Sequence, residues 1–168
     1  MRKNLPEKEL DATDYALLAL VQEDGRISNV KVAETLSLSE TPCWRRLKRL
    51  EDKGYIDGYQ ANLNRHQLGF GVLALVQICF ANHTDEAPSQ FEEAVRSIPE
   101  VLSCHNVTGE ADYFLQIVAQ DLVAYEQFLR KVLRKLPGVT SIQSSLSLRE
   151  IKHSTRLPLG GICQTSKA

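Results

Sequence analysis

The chain has 168 residues, with 43% hydrophobic and 24% charged side chains, values that exclude wholesale disorder and allow one ordinary domain or two small ones. Its 20 basic and 21 acidic side chains leave a net charge of −1, which excludes a generally basic coat and makes any local cluster informative. The opening MRKNLPEKELDATDY has no apolar stretch of the secretory kind, and the longest apolar run, residues 68–81, falls short of the roughly 20 residues that span a bilayer.

In chain order, the first sixty residues carry helical punctuation. Asp11 or Thr13 can cap a first helix whose inward residues include Leu17, Leu18 and Val21, and Asp24-Gly25 breaks it. Ser28 can cap a second helix, NVKVAETL, with Val30, Ala33 and Leu36 close to one face. Ser37-Leu38-Ser39 makes a tight connection to a third helix over about residues 40–53. Pro42 fits its first turn and Gly54 ends it. Two helices joined so tightly predict a helix-turn-helix. The following YIDGYQANL alternates well enough for a strand or wing.

After a linker at 65–70 the period changes. VLALVQICF, VLSCHNVT, YFLQIVA and VTSIQSSLSL read as strands. PSQFEEAVRSI is a helix with Phe91, Ala94, Val95 and Ile98 inward. In DLVAYEQFLRKVLRKL the inward set is Leu122, Tyr125, Phe128, Leu129, Val132 and Leu136, and Pro137-Gly138 stops the helix. The order β-α-β-β-α-β predicts a ferredoxin-like unit. The fold class is therefore α+β. A winged helix-turn-helix domain (1–64) and the linker (65–70) precede a ferredoxin-like domain (71–160) and a tail (161–168).

The first strand is apolar on both faces: Val72, Ala74, Val76, Ile78 and Phe80 on one, Leu73, Leu75 and Cys79 on the other. Two helices cover one face of such a sheet, so the other calls for an apolar partner, most simply a second copy. A homodimer is expected.

The third helix concentrates charge. Cys43, Leu47 and Leu50 share its core-facing sector, while Thr41, Arg45, Lys48 and Arg49 lie opposite, with Trp44 at the edge and Arg46 nearer the core boundary. A solvated helix face usually mixes charge signs, and acids enter here only in the last turn. An outward cationic face on the second helix of a helix-turn-helix suits the major groove: Arg for guanine, Lys for phosphate, Thr for base edges. Ser28, Ser39 and Pro42, at the helix N-termini, complete the expected interface with double-stranded DNA.

Other chemistries find little support. Cys43, Cys79, Cys104 and Cys163 form no CxxC pair, so neither a disulfide framework nor a zinc site is expected, and free cysteines point to the cytoplasm. Of His66, His83, His105 and His153, only His105 adjoins a cysteine, and strand neighbours such as Cys104 and His105 face opposite ways. No phosphate-cradling glycine loop appears. No cofactor and no enzyme activity are expected. Single-stranded RNA readers present stacking aromatics on their sheets, whereas these strands are mainly aliphatic, Tyr113 and Phe114 excepted.

DGRISNVKVAETLSLSETPCWRRLKRLEDKGYIDGY, with VTGEADYFLQI, LPGVTSIQSS and LREIKHSTRLPL, closely resembles the Lrp/AsnC (feast/famine) family of transcriptional regulators over roughly residues 10–159. The resemblance implies control of amino-acid metabolism or transport genes by dimers packed sheet to sheet, often assembled into octamers. It also implies a free amino-acid effector held between dimers near the loop joining the second and third ferredoxin-like strands. That loop is Thr108-Gly109-Glu110-Ala111-Asp112-Tyr113 here. By this carry-over Asp112 holds the effector's ammonium group, and Ser145 or a neighbouring hydroxyl such as Ser147 its carboxylate. The expected effector set is thus Thr108, Gly109, Glu110, Asp112, Tyr113, Ser145 and Ser147. Ser144, Ser145 and Ser147 stand where leucine-responsive members carry bulky apolar residues, which argues against leucine. On the residues alone, GEAD is equally a hairpin turn rich in turn-formers.

Overall fold

The computed structural model describes residues 10–80 and 86–159; the expected tail (161–168), Cys163 and His83 lie outside them. Two compact units emerge. Of the described residues, the first takes in 10–62 together with 153–159, and the second takes in those of 63–152. Residues 153–159, expected as the end of the ferredoxin-like domain, pack with the first unit.

The first unit holds helices α1 (Ala12–Glu23), α2 (Asn29–Thr35) and α3 (Glu40–Asp52). Asp11 caps α1 in a reciprocal capping box. Its Oδ1 accepts the Asp14 N–H at 2.8 Å, and its own N–H donates to Asp14 Oδ2 at 3.0 Å. Ser28 caps α2 as expected, accepting the Lys31 N–H at 3.2 Å. Leu17, Val21, Val32, Ala33, Cys43 and Leu50 form the core. Val30, expected inward, is exposed, and Val32 takes its place beside Ala33. A seven-residue helix makes fewer than two full turns, so its spacing only loosely defined an inward face.

Residues 55–62, expected as a strand or wing, form no strand ladder. Tyr59 instead donates to Glu51 Oε1 at 2.8 Å, and burial together with that bond pushes its phenol up to about 12. The tail is clasped to α1. Gln22 Nε2 donates to the Leu157 carbonyl and Gln22 Oε1 accepts the Leu157 N–H, both at 3.0 Å. Arg156 adds a bond to the Glu23 carbonyl at 3.2 Å.

The second unit is the expected ferredoxin-like α+β fold. It consists of β1 (Val72–Phe80), α4 (Glu86–Arg96), β2 (Val101–Asn106), β3 (Tyr113–Ala119), α5 (Leu122–Lys131), a 3-10 turn over Leu133–Lys135, and β4 (Val139–Leu146). The sheet is antiparallel, in the order β2-β3-β1-β4. Ala74, Val76 and Ile78 pair across from Ile117, Leu115 and Tyr113, and this face is packed with Phe91, Val95, Tyr125, Phe128 and Leu133. Leu122, expected inward, is exposed, while Leu133 is fully buried. Leu122 is the first residue of α5, at the helix end, whereas Leu133 is brought inward by the tighter 3-10 turn that follows Lys131. Gly138, at φ 76°, turns the chain into β4 where a Cβ would come within 3.0 Å of Ala87 and 3.2 Å of the Phe80 ring.

The opposite face carries Leu75, Gln77 and Cys79 of β1 and Phe114 and Gln116 of β3, together with Ser141, Gln143 and Ser145 of β4. Leu75 is 37% exposed and Phe114 and Cys79 are half-buried. The sheet thus leaves an apolar patch rimmed by amides and hydroxyls.

Candidate nucleic-acid interface and effector loop

Helices α2 and α3 are joined through Ser37, which adopts φ 53°, and the Leu38 N–H closes back on the Ala33 carbonyl at 2.9 Å. Cys43 and Leu50 anchor α3 in the core at 0% exposure. The burial that seats Cys43 pushes its thiol up, only partly opposed by the nearby Arg46 charge, which suits an inert packing role. Thr41, Pro42, Trp44, Arg45 and Lys48 are exposed, at spacings that keep them on one side of the helix. Ser39 sits at the N-cap without spending its hydroxyl on a cap bond, whereas the Ser28 hydroxyl is engaged by the Lys31 N–H.

Arg46 and Arg49 behave differently from their neighbours. Arg46 Nη1 reaches Asp11 Oδ2 at 2.6 Å and Asp14 Oδ1 at 2.9 Å, and Arg49 Nη2 reaches Asp14 Oδ2 at 2.6 Å. Arg49, expected outward with Arg45 and Lys48, turns instead to α1. The two arginines fix the angle of α3, and Arg45 and Lys48 remain on the outer face. Burial alone would raise the Asp11 carboxyl, but the bonds from Arg46 and the Asp14 N–H outweigh it and hold the group below 3.8. The same contacts with Asp11 and Asp14 raise Arg46 further above its ordinary value. This lock had a signal in the sequence: Asp14 falls at i and Leu17 and Val21 at i+3 and i+7, an acid within an apolar stripe.

In the second unit, the loop between β2 and β3 is fixed from below. The Asp112 N–H donates to the Ile78 carbonyl at 2.9 Å and Asp112 Oδ2 accepts the Phe80 N–H at 2.8 Å, while its carbonyl accepts from the Val107 N–H and Asn106 Nδ2. Gly109 adopts φ 127°, a conformation side chains disfavour, and Thr108, Gly109 and Glu110 are exposed. Tyr113 departs from expectation. Its ring is buried between Phe80 and Phe91, its hydroxyl donates to Glu92 Oε1 at 2.8 Å, and burial with that bond pushes the phenol up to about 12. It is a core residue.

The serines of β4 are also set apart from the loop. Ser145 pairs with Leu75 and the Ser147 N–H bonds the Leu73 carbonyl, whereas the loop attaches at Ile78. Three to five strand residues, about 10–17 Å, separate them within one protomer. The signal for this separation in the sequence is strand spacing.

Residues 10–57 match the winged helix-turn-helix DNA-binding family, and residues 73–157 match the Lrp/AsnC ligand binding domain. The chain belongs to the Lrp/AsnC family. It is 40% identical over 155 residues to the leucine-responsive regulatory protein of Escherichia coli K12, covering 92% of this chain and 94% of that one, and equally to that of Klebsiella pneumoniae. Among solved structures it resembles a transcriptional regulator from Neisseria meningitidis in complex with L-Met. That likeness has a TM-score of 0.87 and 42% identity, over 91% of this chain and 99% of that one. It also resembles an AsnC family regulator from Agrobacterium tumefaciens, with a TM-score of 0.85 and 32% identity over 90% and 98% of the two chains. The protein is thus a DNA-binding transcriptional regulator of the Lrp/AsnC type with a ligand-binding domain. Among the described residues no helix is long and apolar enough to cross a membrane.

Proposed function

We propose that the regulator controls amino-acid metabolism or transport genes, binding duplex DNA through the outer face of α3 and releasing or tightening that grip when a free amino acid binds. The observation that carries the DNA reading is the division of labour on α3. Arg46 and Arg49 are held by Asp11 and Asp14, while Thr41, Trp44, Arg45 and Lys48 stay exposed. A helix fixed through one set of cations can present the other in a set register to the major groove.

Dimerisation through the patch around Leu75 and further assembly of dimers, to an octamer, complete the reading. In this account Asp112 meets the ammonium group, since burying a cation calls for a fixed counter-charge. The Phe80 N–H already orients its carboxylate. The carboxylate of the effector is met by Ser145, Ser147 or the loop. Because these serines lie too far along β4 to join Asp112 in one protomer, a site between dimers is the arrangement that accommodates both. The L-Met held by the Neisseria meningitidis regulator makes methionine the first candidate effector, and the serines on β4 argue against leucine.

A thermal-shift screen of the twenty amino acids identifies the effector, because a ligand that binds only the folded state raises apparent stability. Calorimetry on the wild type and Asp112→Asn then tests the site. The variant keeps an oxygen for the Phe80 N–H but loses the charge, so the heat of binding should vanish. Equal affinities in the two proteins would place the ammonium elsewhere.

A further inference from the structure

Residues 63–152 carry eight Lys and Arg against ten Asp and Glu, yet four of the eight, Arg130, Lys131, Arg134 and Lys135, fall within six residues. All four are exposed, pointing away from buried Tyr125, Phe128 and Leu133. One or two cations in a last helical turn answer the helix dipole, and Arg130 and Lys131 do so, bonded to Glu126 and Gln127 one turn back. Arg134 and Lys135 lie beyond the end of α5, in the 3-10 turn, and no carboxylate pairs with either among the described residues.

A second observation falls at the same place. Arg134 walls a cleft of about 370 Å³ whose other side is Val139, Thr140, Ser141 and Ile142. These belong to β4, an edge strand of the sheet, so alternate main-chain N–H groups there have no strand partner on the outer side. The Thr140 hydroxyl is already given to the Cys79 carbonyl at 2.9 Å, which leaves guanidinium, ammonium and main-chain N–H groups as the donors that phosphate oxygens accept from.

We propose that the basic end of α5, with Arg134 and Lys135 at its centre, is a second DNA surface that holds the phosphate backbone of duplex outside the operator, without reading its sequence. The proposal rests on α3 as the operator-reading element. Charge chooses the partner: the unit as a whole is acidic, so a cationic patch whose centre, Arg134 and Lys135, meets no carboxylate among the described residues suits a dense polyanion, and a DNA-binding regulator already has one at hand.

The test uses the full-length protein and two duplexes, of 20 and 80 base pairs, both centred on one site selected in vitro from a random pool. Wild type should bind the longer duplex more tightly and with a steeper salt dependence. Arg134→Ala with Lys135→Ala should leave the 20-base-pair affinity unchanged. It should weaken binding of the 80-base-pair duplex roughly tenfold and reduce its salt slope by between one and two. Arg134→Glu with Lys135→Glu should go further in the same direction, and an unchanged melting temperature shows that the fold is kept. Identical affinity and slope for variant and wild type on the long duplex would overturn the proposal, as would equal losses on both duplexes. A change in assembly mass by light scattering without DNA would assign the patch to contacts between copies instead. Failure of Arg45→Ala, Lys48→Ala to affect the short duplex would overturn the α3 reading separately.

Discussion

Asp14, 1% exposed on α1, holds Arg49 of α3 at 2.6 Å, and the same carboxylate takes Arg46 at 2.9 Å through its other oxygen. One buried acid therefore sets the pose of the helix proposed to read DNA. Removing it strands the Arg49 guanidinium and leaves Arg46 with Asp11 alone. Asp14→Ala should cost about 3 kcal/mol, the low end for breaking a buried pair, since both arginines keep partial access to water. Urea unfolding measures this, and DNA affinity should fall with it because α3 loses its anchor. A loss below about 0.5 kcal/mol would mean that the lock contributes little.

The Asp11 carboxyl is held below 3.8 by Arg46 and the Asp14 N–H. A depressed folded value means that its contribution is present above the unfolded value. That contribution is lost as pH falls through the folded one, below about pH 4. Acid unfolding of the wild type should therefore be steeper in this range than that of Asp11→Asn. Superimposable acid curves would contradict the assignment.

Tyr59 and Tyr113 are both pushed up to about 12. For a raised group, stability is complete below the unfolded value near 10 and is lost as pH climbs towards 12. Absorbance at 295 nm should show Tyr59 and Tyr113 ionising late. Tyr113→Phe should remove one of them and cost about 1 kcal/mol for the lost bond to Glu92.

The pairing of Gln22 with both main-chain groups of Leu157 ties the returning tail to α1. Gln22→Ala should speed hydrogen exchange at the Leu157 amide while leaving the α1 amides protected. Unaltered exchange at Leu157 would show that the tail is held by other contacts.

Dimer formation is tested at Leu75. Val76 is fully buried beneath the helices, so a charge there would unfold the unit and report nothing about assembly. Leu75→Asp, on the open face, should yield folded monomers at micromolar concentration by light scattering. Folded dimers of that variant would move the interface elsewhere.

Much of this was legible in the sequence because periodicity reports burial. Val72–Phe80 and Tyr113–Ala119 emerge with the bounds their apolar runs suggest, and Ser28 and Gly54 punctuate the helices where expected. What periodicity missed has physical causes. Leu133 turned inward because the pitch changes after Lys131, and Leu122 is exposed at the first position of α5. The tail's return to α1 depends on amide hydrogen bonds, which leave no apolar pattern. Arg49 lies on the outer face by angle, but a flexible four-bond side chain can reach back to Asp14. The spread of Ser145 and Ser147 away from Asp112 follows from strand register, which composition does not carry.

The central claim, that the outer face of α3 reads DNA, is tested most directly by fluorescence anisotropy. The probe is a labelled duplex selected in vitro from a random pool, titrated with wild type and with Arg45→Ala, Lys48→Ala. Both side chains are exposed and neither touches Asp14, so the fold should persist. The account predicts a loss of affinity of about tenfold to a hundredfold, with relaxed preference at the base facing Arg45 and a shallower salt dependence. A folded double variant that binds the duplex as tightly as wild type would contradict it.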